Sequence, residues 1–199
     1  MGSAGRFDAA IAAIDRANAD DPDTIEIDGR RQPKELAHAE LMTTWVRRLE
    51  PEADELQLLA ARAHHLRRWA MPRERYPAGR AGYLRWRRDQ ARRQAEEVAV
   101  ILAAAGYDDA EIERVQQIIR KEGLGSDPAV QTHEDALCLV FLQTQLGELL
   151  ANLGEQRTVE VLARTARKMS PRGLAEAARL ALPPDHVELL RRALQLAGA

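Results

Sequence analysis

The 199-residue sequence predicts an all-α bundle with one small β-hairpin near residues 24–31, and three observations carry that reading. Apolar residues recur at intervals of three and four through most of the chain, the period of one helix face. Gly and Pro stand between those stretches, at the spacing of helix ends. Only "TIEIDGRRQ" alternates, with Ile25 and Ile27 ahead of Asp28-Gly29, a dipeptide suited to a type I′ turn.

In chain order, Phe7, Ile11 and Ile14 mark a first amphipathic helix that ends near "ADDPD". After Pro33 a helix is expected over residues 34–49, with His38, Leu41, Met42, Trp45 and Leu49 on one stripe. Pro51 opens the next helix, expected to run through His64 and His65 to Trp69. One face holds Leu56, Leu59, Ala60, Ala63 and Leu66 and another holds Leu58 and Trp69, so it is buried on more than one side. Pro72, Pro77, Gly79 and Gly82 shape an ordered loop. Further helices are expected over 83–105, 108–122, 133–152, 155–168, 171–180 and 184–197, with Gly106 and Gly123 as C-terminal caps. Residues 1–199 read as a single domain.

Composition narrows the function. Apolar content of 45% and charged content of 30% fit a folded, soluble chain. A net charge of -2 gives no overall pull toward nucleic acid or an anionic membrane. No apolar run approaches the ~18 residues needed to span a bilayer, and the start "MGSAGRFDAA" lacks a secretory pattern. A cytoplasmic protein without a membrane partner is expected. Cys138 is the single cysteine, which excludes a disulfide framework and a cysteine-rich zinc site.

The candidate chemistry lies in histidines and one aspartate. His38 heads an apolar stripe and should face inward, and Asp135 does the same above Cys138, Leu139, Leu142 and Leu146. A buried carboxylate without a partner is costly, and a histidine doublet on a buried helix raises the same demand. One divalent transition metal (Fe, Mn, Ni, Co or Zn) would satisfy all of them, with His38, His64, His65 and Asp135 as the ligand set. Adjacent helical side chains point about 100° apart, so the metal would lie in the sector between His64 and His65. The rival readings are a core histidine bonded to a carbonyl for His38 and a helix N-cap for Asp135. His133 reads as a first-turn surface residue and His186 as solvated.

Arg62 to Arg93 holds eleven arginines against Glu74 and Asp89, an excess of +9. Arg67, Arg68, Arg73 and Arg80, flanked by Tyr76 and Trp86, are expected to form an anion pocket opening onto the metal. Arg85, Arg88, Arg92 and Arg93 read as a solvated face. Lys121 and Glu134 are candidates for a phosphate contact and a general acid/base. No nucleic-acid motif is present, so nucleic acid is a weaker candidate partner than a small anion.

The order of histidine, histidine doublet and distant aspartate resembles HD-domain proteins, metal-dependent phosphohydrolases whose sequences read roughly "HSxRVA…LAALLHDIGK…ADKL". "HAELMTTW" is similar to the first element, "LLAARAHHLRRW" to the second, with His65 where an aspartate would stand, and "EDALCLVF" to the last. Over nearly the whole chain the frame "PKEL…M…W…RAHHLRRW…P…YP…R.GYLRWR…AGYD…QTHEDALCLVFL…KMSPRG" is similar to a bacterial family of unknown function often auto-labelled glutamyl-tRNA synthetase. Relatives in that family carry a histidine before the "AE" dipeptide, where Gln94 stands here. The resemblance implies an HD-like helical fold with one metal. It further implies hydrolysis of a small phosphorylated, nucleotide-like or otherwise anionic compound. An iron oxygenase and a non-catalytic anion- or RNA-binding module with a degenerate site are the alternatives. The oligomeric state is not legible.

Overall fold

Two hydrophobic cores, joined through α3 and α6, organise the computed structural model, which describes residues 3–27 and 29–198. The elements are α1 (Ser3–Ala19), β1 (Thr24–Ile27), β2 (Arg30–Pro33), α2 (Lys34–Leu49), α3 (Glu55–Ala63) and α4 (Gly79–Ala105). They continue with α5 (Asp109–Arg120), α6 (Pro128–Thr144), α7 (Leu146–Ala166), α8 (Pro171–Ala177) and α9 (Pro184–Ala197). The expected hairpin is present, with Thr24 opposite Pro33 and Ile27 opposite Arg30. Gly29 takes the left-handed φ of +74° that its turn requires, and Asp28, its expected turn partner, lies outside the described residues.

The first core draws on α1, α3, α4 and α5 through Ile14, Leu59, Leu102 and Ile118. The second draws on α2, α6, α7 and α9 through Met42, Leu139, Leu162 and Leu189. Arg6 of α1 ties the first core's periphery together, pairing with Glu55 of α3 and Glu111 of α5 while its guanidinium lies 4.1 Å from the Tyr107 ring centre. Helix starts are chemically explicit. Asp54 and Asp108 each form a capping box with the residue three positions on. Asp127, followed by Pro128, accepts the N–H of Ala129 at 2.9 Å.

Three boundaries differ from the sequence expectation, each for a tertiary reason. The helix expected to run from Pro51 to Trp69 ends at Ala63, and His65 and Arg67 adopt φ of +65° and +46°. Partners outside the helix take the backbone groups that a longer helix would use. Asn18 Oδ1 accepts the Arg67 N–H at 3.0 Å, Arg93 donates to the Arg67 carbonyl at 2.7 Å, and Gln90 donates to the Arg68 carbonyl at 2.8 Å. α6 begins at Pro128 rather than at residue 133, because Asp127 caps it there. It ends at Thr144, where the chain turns by 83° into α7, and Gly154 (φ 73°, ψ 169°) interrupts α7 in turn. Among the described residues no single helix is long and apolar enough to cross a membrane.

The loop between α3 and α4 is tightly held. Arg73 donates to the carbonyls of Tyr76, Pro77 and Gly79 at 2.9–3.3 Å. The first turn of α4 lies so close beneath that a Cβ on Gly82 would stand 1.9 Å from the Pro77 carbonyl oxygen. Gly82→Ala is therefore expected to lower the unfolding free energy by about 1–3 kcal/mol, the usual cost of overpacking. Gly147→Ala, whose Cβ would meet only the His186 ring at 3.5 Å, should be neutral or stabilising, up to about 1 kcal/mol from helix propensity. Urea denaturation of both variants is the check, and equal effects would overturn the close approach.

Candidate metal centre

Glu35 and His38 stand three residues apart near the start of α2 and so face the same way. Asp21, buried between α1 and the hairpin, fixes this start by accepting the Glu35 N–H at 2.9 Å. His65 comes in from the turn after α3. Its left-handed backbone, which costs of order 1 kcal/mol for a residue other than glycine, aims the ring at the same carboxylate. Glu35 Oε2 lies 3.1 Å from His38 Nδ1 and 3.3 Å from His65 Nδ1. One ligand atom from each residue lies within 4.8 Å of the others, the sole such group of histidine, cysteine or carboxylate side chains among the described residues.

The protonation states follow from the surroundings. Burial pushes the Glu35 carboxyl up, but the opposing influence of His65 and His38 outweighs it and holds the group well below the usual carboxylate range. His65 is pushed down to about 3 by burial and by the Arg68 guanidinium, against the pull of Glu35. An ionised carboxylate only accepts, so both imidazoles present Nδ1–H to it. His65 Nε2 then accepts from Arg68 Nη1 at 2.9 Å. His38 Nε2 is buried and has no hydrogen-bond partner among the described residues. A small cleft of about 240 Å³ opens on this group, lined also by Lys34, Arg68, Gln145, Glu148 and Asn152.

Behind the cleft lies a second polar pair. His64 Nδ1 and His133 Nε2 are 2.9 Å apart, and the His64 ring centre is 4.2 Å from that of His65. Burial drives His64 well below the ordinary histidine value, helped by the neighbouring His65 and His133 and by the Lys121 and Arg68 cations. It drives His133 down to about 3, helped by Lys121. Lys121, itself in a left-handed conformation at the end of α5, forms a buried ion pair with Glu134, and Lys168 lies 3.7 Å from the other Glu134 oxygen. Desolvation lowers the Lys121 ammonium despite this partner. Burial and the Glu134 carboxylate push the Cys138 thiol up to about 12, which leaves it protonated and unreactive.

The structure thus brings together two of the four expected ligands, His38 and His65, with Glu35 as the third member. His64 turns to His133 instead. Asp135 sits inside α6, not at its N-cap, and across the interface it anchors Ser170, the residue that caps α8. It accepts from the Ser170 N–H at 2.8 Å and the Ser170 hydroxyl at 2.5 Å, while Gln131 donates to it at 3.1 Å. Its surroundings are closed, since a Cβ on Gly173 would lie 2.6 Å from its carboxyl carbon. The expected catalytic pair, Lys121 and Glu134, is a buried ion pair that does not line the cleft.

Of the expected anion contacts only Arg68 lines the cleft. Arg73 is occupied by loop carbonyls. Tyr76 donates to Asp89 at 3.0 Å, and Trp86 donates to the Met71 carbonyl at 2.8 Å. Arg67 and Arg80 are exposed. Gln94 is buried on α4. Two residues escaped the sequence reading, Glu35 and His133. The three-residue spacing in "ELAH" was the available signal for Glu35. For His133 it was the Asp127-Pro128 helix start, which puts that residue in the second turn and inside.

Residues 8–190 match the model of a domain of unknown function, DUF4202, and the chain belongs to that family. No curated protein and no solved structure matches it. Nothing in these comparisons connects the chain to HD-domain proteins or to glutamyl-tRNA synthetases.

The buried histidine pair has a consequence for stability. His133 is held near 3 in the folded chain against an ordinary value of 6.5, so it binds no proton when folded but does so when unfolded. Its contribution is complete above pH 6.5 and is lost as the pH falls from there toward 3, at about 1.4 kcal/mol per pH unit. The unfolding free energy from urea titrations at a series of pH values should decline over that window. His133→Gln should flatten the decline by about one proton. An unchanged slope in that variant would show that His133 is already charged in the folded chain.

Proposed function

We propose that this DUF4202 member is a metal-dependent hydrolase acting on a small phosphorylated, nucleotide-like or otherwise anionic compound at the Glu35–His38–His65 centre. One observation carries the reading: two imidazoles and a carboxylate converge within 4.8 Å on a cleft lined by Lys34 and Arg68. Two histidines and a glutamate are a donor set that binds a divalent transition ion and leaves positions open. The unpartnered, buried His38 Nε2 fits such a role, because a ligand would relieve an otherwise costly orphaned nitrogen.

A divalent ion there would supply a water of lowered pKa. The chain's own residues do the rest. Lys34, which makes no ion pair among the described residues, and the free edge of the Arg68 guanidinium neutralise the anionic group. Glu148 on the facing wall, exposed and unpaired among the described residues, is placed to pass a proton to the leaving group. The cleft volume suits a phosphate and its immediate neighbours rather than a large ligand. The same two-histidine, one-carboxylate set serves non-haem iron oxygenases, so an iron-dependent oxidation is the second reading.

Purified protein should contain about one divalent ion per chain by elemental analysis. Glu35→Gln and His65→Ala should each reduce occupancy at least tenfold, whereas Asp135→Asn should retain it. Phosphomonoesters and a chromogenic phosphodiester should turn over with Mn²⁺, Ni²⁺, Co²⁺ or Zn²⁺, and His38→Ala should abolish that turnover. Oxygen uptake with Fe²⁺ in place of hydrolysis would transfer the assignment to the oxygenase. Absence of metal after supplemented growth would remove both.

A further inference from the structure

Arg68 links the cleft to a second feature that the proposed hydrolysis does not use. Its guanidinium lies 4.5 Å from the Trp86 ring centre, the Trp86 ring is 5.9 Å from that of Tyr83, and the Arg87 guanidinium is 5.9 Å from Tyr83. Guanidinium, indole, phenol and guanidinium therefore follow one another from the cleft wall outward along α4. Burial falls along the series, from Trp86 at 8% exposed to Tyr83 at 44%. The outermost aromatic ring thus reaches solvent with an arginine beside it.

The surrounding charge is one-sided. Arg80, Tyr83, Leu84, Arg87 and Arg88 fall at intervals of three and four on α4 and share a face. Arg75, Arg80, Arg85 and Arg87 are exposed and make no ion pair among the described residues. Arg88 has only a loose contact with Asp89 at 3.9 Å. This concentration stands out in a chain of net charge -2, in which most other arginines are paired.

From these observations we infer that the outer face of α4 binds single-stranded nucleic acid, with bases stacking on Tyr83 and phosphates held by Arg80, Arg87 and Arg88. Aromatic rings accept any base by its π-face, and arginines supply both phosphate contacts and stacking. A duplex keeps its bases stacked on one another and offers Tyr83 none. A lipid surface would call for a broad apolar face, and here Leu84 is the lone large aliphatic side chain exposed among the arginines. Nothing in this recognition requires a metal, so it stands or falls apart from the hydrolase reading.

The test is fluorescence anisotropy of a short labelled oligouridylate with the full chain, with and without EDTA. Binding should weaken with salt on a log–log slope of about 2, as expected for three phosphate contacts on a single strand. Tyr83→Ala should weaken it about fivefold or more, and Tyr83→Phe should restore it, because the ring and not the hydroxyl stacks. The double variant Arg80→Glu, Arg87→Glu should remove both affinity and salt dependence, with circular dichroism unchanged because both side chains are exposed. The inference is overturned if the oligonucleotide binds no better than uridine monophosphate, or if Tyr83→Ala binds as well as the parent. Binding to phosphatidylserine vesicles without binding to the oligonucleotide would equally overturn it.

Discussion

The Glu35 carboxylate is the constraint around which the polar interior is built. It lies in the first turn of α2, where the helix dipole favours a negative charge, and it is almost fully buried. An anion in that position needs donors, and the chain provides two imidazoles, with the Arg68 guanidinium 4.0 Å from its other oxygen. Asp21 secures the backbone beneath it. His65 can answer this demand only if α3 stops early, so the break at Ala63 and the left-handed residues that follow are part of the same solution.

That break is held from outside the helix. Asn18 at the end of α1, and Gln90 and Arg93 on α4, take up the backbone groups of residues 66–68. They offset the conformational cost at His65 and Arg67 and connect the site mechanically to two other helices. Strain retained beside converging ligand-type side chains is a recurring property of functional sites, where the surrounding structure over-determines an unfavourable backbone. Here it places one residue, Arg68, at the meeting point of carboxylate, imidazole, cleft and aromatic series.

The junction between the two apolar cores has its own electrostatic character. Elements drawn from the two cores, α2, α3, α5 and α6, contribute His38, His64, Lys121, His133 and Glu134 to it. Desolvation keeps His64 and His133 neutral, while the charges that persist, Glu35 and the Lys121–Glu134 pair, are matched within contact distance. The two systems lie back to back through the His64 and His65 rings. Only the Glu35 side opens on the cleft, so the ligand-type groups there are accessible while those behind are closed in.

Much of the fold was legible in the sequence because it is local. The spacing of Leu56, Leu59 and Ala63 defines the buried face of α3, the alternation of Ile25 and Ile27 announces the hairpin, and His38 lies inward because its stripe does. The arginine excess near α4 was visible for the same reason. What tertiary structure decided is where helices stop and which polar groups meet. α3 has the periodicity to continue to Trp69, and nothing nearby in sequence reveals that Asn18, Gln90 and Arg93 will claim its backbone. Asp135 has the inward position of a ligand, yet Ser170, thirty-five residues later, supplies the donors that satisfy it. Glu35 could be assigned only once His65 was seen to reach it, because a carboxylate in a first helical turn is ordinarily a surface residue favoured by the dipole. Periodicity is a property of neighbours along the chain, whereas the partner of a buried charge is set by packing between elements far apart in it.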